Sequence, residues 1–522
     1  MKTFGNVELY RSPALLRSRK VVSCLLLGSL LLVGQASRAD PAIWLATPAD
    51  NNWNNPANWS TGTVPSGLDD ALLGVSAIRD LSITESRGIS TLTFDSDAQA
   101  FTITAQPGVI FEFFANLLNN SGVEQNFVAA SDENDSGVFI FNLDVNIVAG
   151  PVTFTQQARN AGSAFPPRVQ INLTGTGDAV FHNLGASVAG GVGGEVNFYG
   201  NGASAEESAI TNEGATVSGG TGGATGFFQE KPSAGNATLI ANGGSNGGGG
   251  GSVTFDDGSL GGTARLEVFG NGYMDMSVHG GPSLSIGSIE GSGQIYLGKA
   301  TLIVGTNSLS TTFAGVLHPS GPSGGNGSGF LSKTGTSTLT LTGANLYTGG
   351  TTVTSGTLVA GNATGSATGT GPVQVNSGTL GGSGIISGAV TVGTGSGSGA
   401  FLAPAHGGNK QLTLTIQSSL TFNSDSTYTY TFKAKRNKSK IDKVVANGVT
   451  INSGASINLS GQTQGALTQG TVLTVIQNTA ATPIAGIFSN LADGGIVNVN
   501  GNNLQASYSG GDGNDLTLTV VP

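Results

Sequence analysis

The sequence predicts an all-β solenoid, in which short strands from successive coils stack on one another. Glycine accounts for 85 of the 522 residues and charged residues for only 10%, so the chain suits tight corners better than helical surfaces. Apolar and polar residues alternate at period two in short runs, such as 339–341 and 351–354, which is typical of strands. The tetrapeptide SGTL at 355–358 returns at 377–380, and a recurrence at this distance indicates stacked coils.

The first 39 residues have the organisation of a secretory signal peptide. A basic segment precedes the apolar run 21–34, which is shorter than the ~20 residues that a membrane-spanning helix needs. The small residues Ser37 and Ala39 favour cleavage between Ala39 and Asp40. The alternative interpretation is an uncleaved membrane anchor.

Cleavage at this position would define the chemistry of the mature chain. It would remove six of the 21 basic and one of the 31 acidic residues, leaving 15 and 30, together with Cys24, the one cysteine. Disulfides, thiol catalysis and cysteine metal sites are then excluded. The acidic balance argues against a nucleic-acid partner. No later apolar run reaches the ~18 residues of a helical membrane span.

Composition and repeats divide the chain into segments. We predict a signal peptide at 1–39, a Trp-rich N-terminal cap at 40–95, a β-strand region at 96–190, Gly-rich loose repeats at 191–280, regular repeats at 281–405 and a C-terminal β cap at 406–522.

All three tryptophans, Trp44, Trp53 and Trp59, fall in one short segment at the start of the predicted mature chain. One interpretation is a cap, in which the rings cover the open end of the stack and its unpaired strand edge. The other is an aromatic platform for sugar rings. The position of the cluster at the beginning of the solenoid favours the cap.

The middle of the chain contains strands and a looser repeat. Residues 111–118, FEFFANLL, fit either a helix or a strand, because a short apolar run does not distinguish the two. Further on, Phe198, Phe228 and Phe255 recur at nearly regular spacing, and each is predicted to end a short strand and to precede a turn of a loose repeat. Strands rich in small residues are predicted to follow them at 208–211, 237–240 and 263–266.

Residues 333–358 read KTGTSTLTLTGANLYTGGTTVTSGTL, where Asn345, Gly349 and Gly350 are expected to supply positive φ angles at a turn. This segment resembles the autotransporter-associated β-strand repeat of autotransporter passengers and large secreted bacterial proteins. The similarity extends more weakly over 281–405. The resemblance implies a right-handed parallel β-helix, a role in passenger folding and export, and no catalytic residues. The proteins that this segment resembles are the secreted, passenger-type members of that family, and we expect no C-terminal barrel.

The C-terminal segment contains two further patterns with alternative interpretations. A basic cluster follows the strand-like run 427–432, and it predicts either a solvated hairpin tip, which we favour, or a patch for an acidic polysaccharide or lipopolysaccharide phosphates. The sequence GGDGND from Gly510 to Asp515 matches the start of a calcium-binding nonapeptide, but a single copy favours an ordinary glycine turn. The basic cluster consists of Lys433, Lys435, Arg436, Lys438, Lys440 and Lys443.

No pattern of catalytic residues emerges from the sequence. The adjacent pairs Asp69-Asp70 and Asp256-Asp257 would point to opposite faces of a strand rather than across a glycosidic bond. The four histidines lack metal-ligand spacing. We therefore predict no catalytic, cofactor-binding or metal-binding residues and no cofactor. The expected function is that of a secreted or cell-surface structural or adhesive passenger, and the alternative is an extracellular protein that binds or degrades polysaccharide.

Overall fold

Strands pair in parallel with the strand one coil further along the chain, as predicted for a solenoid. The computed structural model describes residues 40–132, 135–141, 146–148, 151–159, 166–172, 176–406, 411–435, 438–464 and 466–522. Thr357 pairs with Thr379 and Leu358 with Leu380, so the two SGTL segments lie directly on one another. The predicted parallel β-helix is confirmed. The predicted signal peptide, up to Ala39, lies outside the described residues.

Two sheets run along most of the coils. The first contains the thirteen strands Ala42–Ile43, Ala71–Leu73, Arg87–Phe94, Ile110–Asn119, Val138–Phe141, Asn146–Val148, Arg168–Asn172, Glu195–Tyr199, Ala224–Phe228, Ser252–Phe255, Tyr273–Asp275, Gln294–Tyr296 and Val316–His318. The second contains Asp80–Ile83, Thr102–Ala105, Gln125–Ala129, Val152–Gln156, Val180–Asn183, Ala209–Asn212, Thr238–Ala241, Arg265–Val268, Ser288–Gly291, Thr311–Phe313, Thr338–Leu341, Thr357–Ala360, Gly378–Gly382, Ala400–Ala403, Ser426–Lys435, Lys438–Ile441 and Ser456–Gln464.

Two shorter sheets complete the later coils. The third contains the eight strands Ser283–Ile286, Thr301–Val304, Phe330–Lys333, Thr351–Val353, Val373–Val375, Val390–Val392, Leu420–Phe422 and Val449–Ile451. The fourth contains the seven strands Ile385–Ile386, Thr413–Ile416, Lys443–Ala446, Val472–Asn478, Ile496–Val499, Asn502–Gly510 and Asp515–Val521. Its last four strands pair antiparallel with one another, so parallel stacking gives way to antiparallel pairing in this part of the sheet.

The coil interior is filled by side chains that recur from coil to coil. Along many strands alternate residues are buried, as in Arg168–Asn172, because successive side chains point to opposite faces of a sheet. Phe198, Phe227 and Phe255 are paired in register and stack with ring centroids 4.8 Å apart. Phe228 ends its strand as predicted, but its ring does not belong to this row. The register instead places Phe228 beside Tyr199 on the outer face of the sheet.

The small-residue strands of the loose repeat also lie in register. Ala209 pairs with Thr238, and Thr238 with Arg265. The first two of these strands were predicted one residue too early and the third two residues too early. The ambiguous segment FEFFANLL belongs to the strand Ile110–Asn119. In the described part of the chain the one helical element is the 3₁₀ turn Pro56–Asn58. No helix in that part is long and apolar enough to cross a bilayer.

The tryptophan cluster closes the N-terminal end of the stack. The Trp44 backbone N–H donates to Leu72 and the Trp53 N–H to Ser82, so this segment pairs with early strands of both long sheets. The three rings are at most 2% exposed and pack edge to face, with Trp59 donating its Nε1–H to the Trp53 carbonyl at 2.8 Å. These observations support the cap interpretation. The sugar-platform interpretation is wrong for these rings, because their faces are inaccessible.

Trp53→Ala is expected to lower the free energy of unfolding by about 3–5 kcal/mol, because it empties the space of a fully buried ring. Urea unfolding and hydrogen exchange of the amides in Ala71–Leu73 measure the effect. The matched control is Leu68→Ala, at a side chain that is 85% exposed, for which a change within about 0.5 kcal/mol is expected. Equal effects of the two substitutions would contradict the cap.

Candidate functional site

The segment that resembles a known repeat forms one complete coil, in which the last strands stack on the first strands. Its strands Phe330–Lys333 and Thr338–Leu341 are followed by Thr351–Val353 and Thr357–Ala360. Leu331 pairs with Thr351 and Leu339 with Leu358. The two strands predicted around the turn both exist. They lie in different sheets and do not pair with each other.

Asn345 joins three consecutive coils through its side chain. Its Oδ1 accepts from the Leu317 N–H at 2.8 Å, and its Nδ2 donates to the Ala367 carbonyl at 2.5 Å. The residue is 3% exposed, so the amide takes the place of a peptide group where the first sheet has ended. The predicted positive φ applies to Gly350 (+117°) but not to Asn345 or Gly349. Asn345 shapes the corner through hydrogen bonding rather than a left-handed backbone.

Tyr347 fills the same corner from inside the coil. Its side chain is fully buried and its hydroxyl lies 2.6 Å from Thr351 Oγ1. Burial raises the pKa of Tyr347 well above its usual range, so the hydroxyl stays neutral and serves as a hydrogen-bonding group. The polar residues at this corner are therefore structural.

Lys333 is a cationic side chain inside the coil. It pairs in register with Val304 on one side and Val353 on the other, and it is 0% exposed. Its Nζ donates to the Thr334 carbonyl at 2.5 Å. Burial lowers the pKa of Lys333 to about 8, because a charged ammonium is poorly solvated among valines.

Residues 331–360 match the family model described as passenger-associated-transport-repeat. The chain carries a passenger-associated transport repeat. The match coincides with the self-stacked coil and confirms the resemblance found at 333–358. Together with the parallel stack, the repeat is consistent with the passenger of an autotransporter. No curated protein matches this chain.

A groove that sequence reasoning missed lies where three coils turn. It has a volume of about 500 Å³ and is lined in part by Lys231, Asp257 and His279. The residues 229–231 that lead into it all have positive φ, between +49° and +69°, an arrangement that strains side-chain-bearing residues and is concentrated at functional sites. The sequence does not predict a left-handed backbone here, because Gln, Glu and Lys are not residues that favour positive φ angles.

The chemistry of this groove is limited by the hydrogen bonds of His279. Its Nε2 lies 2.9 Å from the Ser259 carbonyl, and its Nδ1 lies 3.3 Å from the Gly281 N–H. Both ring nitrogens thus contact backbone groups, and neither is free to move a substrate proton. Burial raises the pKa of the neighbouring Asp256. Among the described residues no three His, Cys, Asp or Glu side chains are close enough to hold a metal ion.

The other predicted motifs also have clear positions. The sequence from Gly510 to Asp515 is a hairpin turn in which these two residues pair, and Asp515 Oδ1 accepts from the Asn478 N–H at 2.9 Å. The calcium motif therefore lies in an antiparallel hairpin rather than in stacked parallel coils. Asp69 Oδ2 accepts from the Ser66 N–H at 3.0 Å.

The basic cluster lies on a hairpin, as the favoured interpretation predicted. Lys433 pairs with Lys440 and Lys435 with Lys438 across antiparallel strands. Lys443 belongs to the fourth sheet, where its Nζ donates to Gln477 Oε1 at 3.0 Å. Arg436 lies outside the described residues.

Asn345→Leu is expected to destabilise the repeat by about 1–3 kcal/mol for each of the two peptide groups left without a partner. Thermal unfolding measures the total, and hydrogen exchange at Leu317 locates it. The matched control is Asn326→Leu at an exposed position, where little change is expected. Unchanged exchange at Leu317 would show that the amide does not join the coils.

Lys333→Met is expected to raise the melting temperature at pH 7 and to remove a pH dependence. The unfolded chain keeps the lysine proton up to a pKa of about 10.4, whereas the folded pKa is about 8. Between these values the unfolded state binds more protons, so the stability of the native protein rises with pH and that of the variant does not.

Melting curves at pH 7, 8, 9 and 10 test this difference. Lys299→Met, at an exposed lysine, serves as the control and should follow the unmodified protein. Parallel pH profiles for Lys333→Met and the unmodified protein would mean that the amine is solvated in the native state.

Proposed function

We propose that this protein is a secreted or cell-surface passenger whose β-helix is a structural and adhesive scaffold without catalytic activity. The observation that carries the proposal is the self-stacked repeat coil, in which Leu331 pairs with Thr351 and Leu339 with Leu358. Such a coil extends a continuous stack. Its polar side chains Lys333, Asn345 and Tyr347 are buried and hydrogen bonded within the stack.

The described surface supports a scaffold better than an enzyme. In the groove at Lys231 the histidine is bound to backbone groups on both sides, and a hydrolase of glycosides needs two carboxyl groups facing each other across the bond. The outward positions of the late strands carry Thr, Ser and Asn instead, as in Thr427, Thr429 and Asn458. Rows of hydroxyl and amide groups of this kind suit a hydrated surface that contacts other molecules.

The location and the adhesive role can be tested on cells that produce the full chain. We expect externally added protease to digest the protein on intact cells, or the protein to be recovered from the medium. Cells that produce it should attach to surfaces in greater numbers than cells lacking the gene. Protein protected inside intact cells would contradict the location, and equal attachment of both cell types would contradict adhesion.

A further inference from the structure

We propose that the C-terminal end of the coil binds an acidic polysaccharide. The site consists of Lys433 and Lys440 on the basic hairpin and of the groove beside the strand Ser456–Gln464. This inference rests on the adhesive role proposed above and names its ligand class.

The arrangement of the lysines is energetically unfavourable in the absence of a ligand. Lys433 and Lys440 lie directly opposite each other on the two antiparallel strands. Like charges at directly opposed positions destabilise a sheet. Neither Lys433 nor Lys440 forms an ion pair within the described part of the chain. In a chain with a net charge of −10, these two mutually repelling lysines form a local site for an anion.

The nearest carboxylate along the chain does not neutralise these lysines. Asp442 follows the hairpin, is 0% exposed and accepts hydrogen bonds from the Leu412 N–H and from the N–H and hydroxyl of Thr431. Burial raises the pKa of Asp442. Its oxygen atoms are therefore directed into the protein, and the hairpin keeps its positive charge.

The second feature of the site is the groove beside the strand Ser456–Gln464. It has a volume of about 420 Å³ and lies between the strand Ser456–Gln464 and residues 497–500. Asn490 pairs with both the N–H and the C=O of Ile457, through Oδ1 at 2.9 Å and Nδ2 at 2.8 Å. Asn500 donates to the Gly461 carbonyl. Side-chain amides thus occupy both ends of this stretch of strand edge.

Between these two amides the groove presents polar groups that can receive a ligand. Alternate residues of a parallel strand direct their peptide groups to the same side, so Leu459 directs its N–H and C=O into the groove between Ile457 and Gly461. Asn458 and Ser460 line the groove and are exposed. Peptide, amide and hydroxyl groups in this arrangement match the hydroxyl groups of a sugar chain.

The two features are joined by the pairing of their strands. Ser426–Lys435 pairs with Ser456–Gln464 on one side and with Lys438–Ile441 on the other. A linear chain that alternates hydroxyl and carboxylate or sulfate groups fits both the groove and the lysines. A phospholipid headgroup would engage the lysines alone and leave the groove unused, so the surface favours a polysaccharide over a membrane.

The test is the binding of the purified full chain to polygalacturonate, with neutral dextran as the comparison ligand. We expect binding to polygalacturonate that weakens as salt is raised, and none to dextran. Lys433→Gln combined with Lys440→Gln should weaken the affinity by about 3- to 30-fold and reduce the salt dependence. Asn458→Ala should weaken the affinity while leaving the salt dependence unchanged.

The matched control is Arg79→Gln combined with Lys299→Gln, which removes the same charge at exposed positions far along the chain and should bind as the unmodified protein does. Melting curves verify that each variant is folded. Equal loss in both double variants, equal binding of dextran, or binding to phosphatidylglycerol vesicles without binding to polygalacturonate would each overturn the proposal. Failure of this binding in cells that still attach to surfaces would remove the ligand class and leave the adhesive role intact.

Discussion

The fold depends on hydrogen bonding between the backbones of consecutive coils, which requires each coil to lie close to the next along its whole length. The corners show how strict this requirement is. A Cβ atom on Gly193 would lie 2.2 Å from the carbonyl oxygen of Gly222, and one on Gly222 would lie 2.3 Å from that of Gly250. No side chain is accommodated at such distances. Stacking therefore requires glycine at these corners.

Side-chain amides continue the backbone pattern where the strands are interrupted. Asn345 bridges coils where the first sheet has ended, and Asn490 pairs with the last strand of the second sheet. At the N-terminal end, Asn58 accepts from the Ala49 N–H at 2.7 Å and donates to the Asn52 carbonyl at 2.9 Å. Asparagine suits this role because its side chain carries the donor and acceptor of a peptide group.

The sequence predicts the structure correctly where the pattern is local. It does not do so where the pairing of distant strands determines which residues are buried or lie together. The recurrence of SGTL correctly predicted that the two segments stack on each other, because the second copy lies one whole coil after the first. Phe227 and Phe228 are adjacent and alike, so only the pairing with Phe198 reveals which ring is buried. The groove at Lys231 could not be predicted, because Asp257 and His279 belong to different coils and their approach depends on the lengths of the loops between them.

The variation in coil length has an evolutionary consequence. The coil that leads from Thr338 to its partner Thr357 is much shorter than the one that leads from Ala209 to its partner Thr238. In both coils the strands nevertheless pair in register with those of the next coil. Extra residues are absorbed at the corners, where loop closure becomes only slowly more costly with length. Insertions and deletions can therefore accumulate without shifting the interior, and a gene of this kind can lengthen or shorten by whole coils while neighbouring coils keep their contacts.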